Sequence, residues 1–233
     1  MIQVDLSEEI TEKCPDLHVL VISCPVVNTA SDEELWKEIA GEEESIRSSL
    51  KMEEVNKWLP IKATRQAYKA LGKDPNRYRP SAESLRRRIL RELPLYKIDT
   101  LVDLVNLVSI RSGYSIGGFD EDKIEGGRLL LGVGREGEIY HGIGRGELNI
   151  AGLPVYRDAV GGVGTPTSDE ERTKMGMETT RLLMIINGYS GEDGLMEAGK
   201  FAVDLLTRYV SATEIESELI SVSSRQKIVF SAE

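Results

Sequence analysis

Few side chains in this sequence can do chemistry unaided. There are two histidines, His18 and His141, and two cysteines, Cys14 and Cys24. That is too little for a disulfide framework or a thiolate metal cage, and it leaves Ser-His or Cys-His catalysis with little to draw on. No metal and no cofactor is expected. What stands out is backbone. The stretch SGYSIGGFDEDKIEG, residues 112–126, places four glycines, a Phe-Asp pair and an acidic turn directly after an apolar run. Glycine in such a loop serves either turns at positive φ or the close approach of a ligand to the main chain.

The element before this loop limits what can surround it. Asp99 can cap a helix over TLVDLVNLVSIRS, which is apolar nearly all round except for a strip of Asp103, Asn106 and Ser109. A helix so apolar belongs in a core, and its polar strip must be hydrogen-bonded or face a cleft. Upstream, Ile2 to Leu6 and Leu17 to Val27 read as strands, the second continuous as in a strand covered on both faces. Helical spacing runs from Ser31 to about Leu50 and from Met52 to Leu71, until Gly72 and DPNRYRP break it. Ser81 can cap a helix running to about Leu93. Its apolar side holds Leu85, Ile89, Leu90 and Leu93, its outer side Arg87, Arg88 and Arg91, and Arg86 falls on the apolar side as a snorkelling or paired group. After Gly126 come short glycine-punctuated strands in RLLLGVG, GEIYHGI, LPVYRDAVGGVG and TRLLMIING. An amphipathic helix over Leu195 to Val210 and a tail with an edge strand follow. The fold class is α+β in one domain, helical in its first half and β-rich in its second.

Composition sets the outer bounds. The chain has 233 residues and a net charge of −10, enough for a sizeable core and too acidic for indiscriminate nucleic-acid binding. Its start lacks the pattern of a signal peptide, and no apolar run reaches bilayer length, so a cytoplasmic location without membrane contact is expected. The charge is uneven. Residues 61–97 carry eleven Lys or Arg against three acids, which leaves about −18 for the remainder. Such a segment is either a solvated helix surface or a polyanion contact. Its candidates for RNA binding are Arg65, Lys69, Lys73, Arg87, Arg88 and Arg91.

The residues of the loop carry a family pattern. VDLVNLVSIRSGYSIGGFDEDKIEG, residues 102–126, closely resembles a segment of the B3/B4 editing module of the phenylalanyl-tRNA synthetase β chain. The pattern is Val-Asp-x-x-Asn, then Gly, then Phe-Asp-x-Asp-Lys-x-x-Gly, matched without a gap. Trp58, Arg65, Tyr68, Gly72, the DP pair, the RPS triplet and Arg88 look like the free-standing members of that family. GREGE and RDAVGGVG resemble its later segments. The resemblance covers residues 55–210, with 1–54 as N-terminal strands and helix packing on the core and 211–233 as a C-terminal tail. No synthetase catalytic domain is expected in what is left.

The resemblance implies a layered β/β/α-like fold and a hydrolytic second sieve that cleaves wrongly charged amino acids from tRNA, as is needed where a pocket discriminates weakly between near-isosteres. It implies that Gly117 and Gly118 line one wall of an amino-acid pocket and Gly161, Gly162 and Gly164 the other. Asn106, Ser109, Ser112 and Phe119 would lie close by, while Asp120 reads as structural, accepting turn N–H groups. Two departures matter. Where the family carries Pro-x-His-Ala, this chain has Ser115, Ile116, Gly117 and Gly118, so the editing histidine falls on Gly117. The late strand lacks the glutamate that binds the substrate amino group, and Asn187 is its nearest polar candidate. Three readings follow: a free-standing deacylase of mischarged tRNA, a non-catalytic module binding an RNA end or free amino acid, and a small-molecule protein reusing the pocket. The expectation is a module that binds tRNA or aminoacyl-tRNA, with hydrolysis.

Overall fold

The computed structural model describes residues 1–230. The last three residues of the 211–233 tail lie outside the described residues. The sheets are best introduced from the continuous apolar strand, β2 (His18–Pro25), which follows β1 (Gln3–Leu6) and a short helix, α1 (Glu8–Lys13). After it come helices α2 (Glu33–Ser49), α3 (Leu59–Ala70), α4 (Ser81–Leu90) and α5 (Thr100–Ser112). The second half supplies β3 (Ile116–Asp120), β4 (Arg128–Val133), β5 (His141–Gly142), β6 (Gly146–Glu147), β7 (Pro154–Arg157), β8 (Gly162–Gly164) and β9 (Arg181–Gly188). Helix α6 (Leu195–Val210) and the hairpin β10 (Glu216–Ser221) and β11 (Arg225–Ile228) complete it.

The strands form a five-stranded antiparallel sheet ordered β11-β10-β2-β9-β3 and a four-stranded sheet ordered β1-β4-β7-β8, in which β1 and β4 run parallel. Alternation along β2 and β9 explains the layering. Leu20, Ile22, Leu182, Met184 and Ile186 point to the side packed by α2, α5 and α6. Val19, Val21, Leu183 and Ile185 point the other way, against Val4, Leu129, Leu131 and Tyr156 of the second sheet. Strand period two thus gives each face its own core, and the order is sheet, sheet, helices. Residues 19–24 are buried on both sides, while Val27, past the strand's end at Pro25, is exposed.

Local rules account for the best-placed helix. Asp99 caps α5 by accepting from the Val102 N–H at 2.9 Å, and Gly113 ends it at φ 80°. A Cβ at Gly113 would strike the Trp58 ring. The polar strip is accounted for in both of the ways expected. Asp103 accepts from Ser31 and from Trp36 Nε1, each at 2.6 Å, and Ser109 donates to the Tyr114 carbonyl at 2.8 Å. Asn106 faces a cavity.

Several expectations are corrected. The helix predicted over Met52–Leu71 begins at Leu59, after a single 3-10 turn over Val55–Lys57. Helix α2 is capped by Asp32, which accepts from Glu34 and Leu35. Ser81 caps nothing: Pro80 occupies the cap position without a side-chain bond, and the Ser81 N–H donates to the Pro166 carbonyl at 2.8 Å. Helix α4 stops at Leu90 because Glu92 turns to φ 57°, so Leu93 leaves the apolar face and lies 43% exposed. The tail supplies two strands, with β11 at the edge. Among the described residues, no helix is long and apolar enough to cross a membrane, and no group of three or more His, Cys, Asp or Glu is placed to hold a metal ion.

Candidate functional site

A cavity of about 520 Å³ opens where α4, α5 and the edge strand β3 meet the loops around Thr165–Asp169 and Lys174–Met177. That size suits a small-molecule ligand. Its wall is largely apolar, with Leu85, Val102, Val105, Ile116, Met175 and Met177. Three of the residues singled out in the sequence meet here: Asn106 and Ser109 from α5, and Gly118 from β3. The Asn106 amide has no protein partner among the described residues, so both its donor and its acceptor are open to a ligand.

The other predicted positions lie elsewhere. Alternation on β3 turns Gly117 and Phe119 away from the cavity. The Phe119 ring is wholly buried between the sheets, and a Cβ on Gly117 would meet it at 2.6 Å, one on Gly164 at 2.5 Å. These two glycines make room for a ring. Gly162 packs on Tyr140, and Gly161 donates to Asp158 at 3.0 Å. The second wall comes from residues 165–177 instead. Ser112 lines a separate cleft beside Trp58 and Phe201. Asn187 lies buried, accepting from the Tyr156 hydroxyl at 2.7 Å and donating to the Ser115 carbonyl at 3.0 Å. Asp120 accepts from the Asp122 N–H and from Thr179, and pairs with Lys123 at 3.2 Å.

Sequence reasoning passed over Asp169. Its carboxylate lines the cavity and accepts the Gly118 N–H at 3.2 Å. Protein crowds the carboxyl group while no cation among the described residues pairs with it. Burial therefore pushes it up to about 8, and the Gly118 hydrogen bond opposes this only in part. The carboxyl oxygen lies 3.7 Å from where a Cβ on Gly117 would stand, so Asp169 sits beside the position at which the resemblance puts a histidine.

The loop that carries Asp169 is held from several sides. Thr165 Oγ1 accepts from the N–H groups of Thr167 and Ser168 and donates to the Ser168 carbonyl. Tyr140 donates to that carbonyl at 2.7 Å, and Tyr68 bonds Thr167 at 2.9 Å. A backbone bridge joins Gly164 to Asp169. These long-range contacts bring the Asp of the sequence run SDEE into a pocket.

The basic segment divides into bound and open charges. Arg65 Nη1 and Arg87 Nε each hold the wholly buried Glu83 at 2.8 Å. Lys73 Nζ donates to the carbonyls of Asn149 and Ala151 at 2.8 and 2.7 Å and lies over the Tyr78 ring. Arg88 stacks on Tyr96 and donates to the Pro94 carbonyl. Lys69 and Arg91 are exposed. Arg86 does point inward, but its partners are main-chain oxygens at the end of α5. Its Nε donates to Ile110 at 2.8 Å and its Nη2 to Arg111 at 3.3 Å, and the guanidinium stacks 3.4 Å over Trp58. It caps the negative end of that helix, and burial pulls it down to about 10.

Comparison with known proteins agrees with this architecture. A search of the curated proteins finds no match. Among solved structures, the chain is similar to an N-terminal fragment of the phenylalanyl-tRNA synthetase β-subunit from Pyrococcus horikoshii, with a TM-score of 0.53 at 14% identity. The match covers 97% of this chain and 53% of that one, so this chain spans about half its length. At that identity the likeness is one of fold. The family model of the B3/4 domain matches residues 63–209, a span from α3 to α6 that includes every wall of the cavity. On that match the chain belongs to the B3/4 domain family.

Proposed function

We propose that the cavity binds the amino-acid end of an aminoacyl-tRNA, and that the protein acts in trans as a hydrolase of mischarged tRNA. The observation that carries this reading is Asp169, an acid in a largely apolar wall that accepts one backbone N–H and has no ion-pair partner among the described residues. An α-ammonium group is the ligand chemistry that completes such a carboxylate. The apolar wall beside it suits an aliphatic or aromatic side chain, and the open amide of Asn106 suits the acyl carbonyl or ribose. Family membership supports the aminoacyl ester as the substrate class.

The ester is already activated, so positioning and oxyanion stabilisation can supply most of the rate. Water attacks the acyl carbon, and the bond from that carbon to the ribose oxygen breaks. The ribose oxygen takes one proton from the water, and the other leaves as the product carboxylic acid ionises. Asp169 holds the ammonium and Asn106 orients the acyl group. Gly117 offers no ionisable side chain, which favours as second reading a module that binds without hydrolysis.

The test is release of amino acid from a panel of tRNAs, each charged with a different amino acid. The expected result is release from a restricted set by the wild type and loss of that release in Asp169→Asn at unchanged melting behaviour or better. A panel flat for the wild type removes the hydrolase and leaves the binding module to be judged by ligand titration.

A further inference from the structure

A second depression, of about 400 Å³, adjoins the cavity and shares Leu85, Ile98 and Asn106 with it. Five arginines line it: Arg79, Arg87, Arg88, Arg91 and, from the turn between β5 and β6, Arg145. No acid lines it among the described residues, although the chain carries 39 acids against 29 Lys and Arg. Arg87 is held by Glu83 and Arg88 by Tyr96 and Pro94. Arg79, Arg91 and Arg145 are exposed and have no ion-pair partner among the described residues. Three open guanidinium forks on one groove of an acidic protein match phosphate in charge and geometry. Between the arginines stand apolar surfaces that water does not favour, with Tyr96 at 66% and Ile98 at 60% exposure.

We infer that this groove holds the single-stranded end of an RNA, with phosphates on Arg79, Arg91 and Arg145 and an unpaired base against Tyr96. Phosphate contacts alone would fit a duplex equally well. An exposed aromatic ring backed by an arginine at 4.2 Å is a stacking platform, and only an unstacked base can use it. Asn106 is common to groove and cavity, so a strand lying in the groove delivers its terminal ribose to the cavity mouth. That last step rests on the reading of the cavity given above. The binding of the strand itself does not.

The experiment uses the full chain and uncharged RNA hairpins, one with an unpaired 3′ end of about four nucleotides and one blunt. Binding is followed by anisotropy across a salt series. The wild type is expected to prefer the overhang by roughly tenfold or more, since one stacked base is worth about that factor. Arg91→Ala with Arg145→Ala should weaken binding and reduce the log–log salt slope by about 1.4, the value for two lost single-strand contacts. Tyr96→Ala should erase the preference for the overhang and leave the slope in place. Arg91→Glu gives the same reading from a single exposed position. Equal affinity for the two hairpins overturns the inference, as does an unchanged slope in the double variant. Because the probes carry no amino acid, the cavity is judged separately, by hydrolysis of an amino-acid ester of adenosine. Hydrolysis without overhang binding would reject the groove alone, and overhang binding without hydrolysis would reject the hydrolase alone.

Discussion

Two acids of this protein, Glu83 and Asp169, stand in opposite situations. Glu83 is wholly buried on α4 and takes an arginine on each oxygen, Arg65 and Arg87, both at 2.8 Å. Asp169 lines a cavity, accepts one N–H at 3.2 Å and has no ion-pair partner among the described residues. A fold that needs a charge inside gives that charge its partners. One that leaves a crowded carboxylate unpaired has left room for a partner that arrives from outside. The difference separates an acid that builds the fold from an acid that works on a ligand, within one small domain.

Breaking each acid should therefore do opposite things. Glu83→Ala strands two guanidinium groups and is expected to cost about 3–5 kcal/mol, read as a large fall in denaturant midpoint. Asp169→Asn removes an acid whose ionised form burial disfavours and should leave the midpoint equal or higher. If both variants lost the same stability, the contrast between them would vanish.

Gly118 sharpens the ligand side of the comparison. A Cβ there meets the flexible end of Met175 at 2.6 Å and Val105 at 3.4 Å. Gly118→Ala should fold and retain binding, with Met175 displaced. Gly118→Trp fills the cavity and should weaken amino-acid binding by about a hundredfold or more, roughly 2.7 kcal/mol, while leaving binding of uncharged RNA intact. Full ligand affinity in a folded tryptophan variant would place the ligand elsewhere.

Arg86 gives a smaller effect of a third kind, a buried cation with neutral partners. Arg86→Ala orphans the terminal carbonyls of α5 and is expected to cost about 1–3 kcal/mol, less than Glu83→Ala. Equal losses would mean that the stacked Trp58 contact and the helix end carry more than hydrogen bonding allows.

A separate test of the same acid is in pH. A carboxyl at about 8 in the folded protein and near 4 when unfolded keeps its proton in the native state only. The native state then binds more protons between those values, so this residue's contribution to stability falls as pH rises from about 4 to 8 and is flat above. Melting temperatures of wild type and Asp169→Asn should diverge by several degrees across that window, the variant gaining. Parallel curves would show that the carboxyl is not raised.

Much of this was legible in the chain. The Asp99 cap and the stretch TLVDLVNLVSIRS bound α5 in the sequence as in the structure, because cap chemistry is local. The uninterrupted apolar run around β2 announced a strand covered on both faces. The site was legible at Asn106 and Ser109, which lie on α5, and at Gly118, which the family resemblance supplied and which lies on β3. Gly117 and Gly164 looked like pocket glycines, yet they accommodate the Phe119 ring, a role set by partners far apart in sequence. Asp169 was passed over for the same reason, since its neighbours in space come from β3 and β8. Arg65, Lys73 and Arg87 looked like free charge until Glu83 and the carbonyls of Asn149 and Ala151 were placed beside them.

The central claim is that Asp169 receives an ammonium group, and proton-linked titration calorimetry tests it most directly. The ligand is an adenosine bearing an amide-linked amino acid, which binds without being cleaved. At pH 7 the empty carboxyl, at about 8, is mostly protonated, so docking of an ammonium ionises it and releases close to one proton. The wild type should bind with that release, and Asp169→Asn should lose most of the affinity and all of the linked proton. Equal binding by the variant, or binding with no proton released in buffers of different ionisation enthalpy, would contradict the assignment of Asp169 and with it the cavity's role.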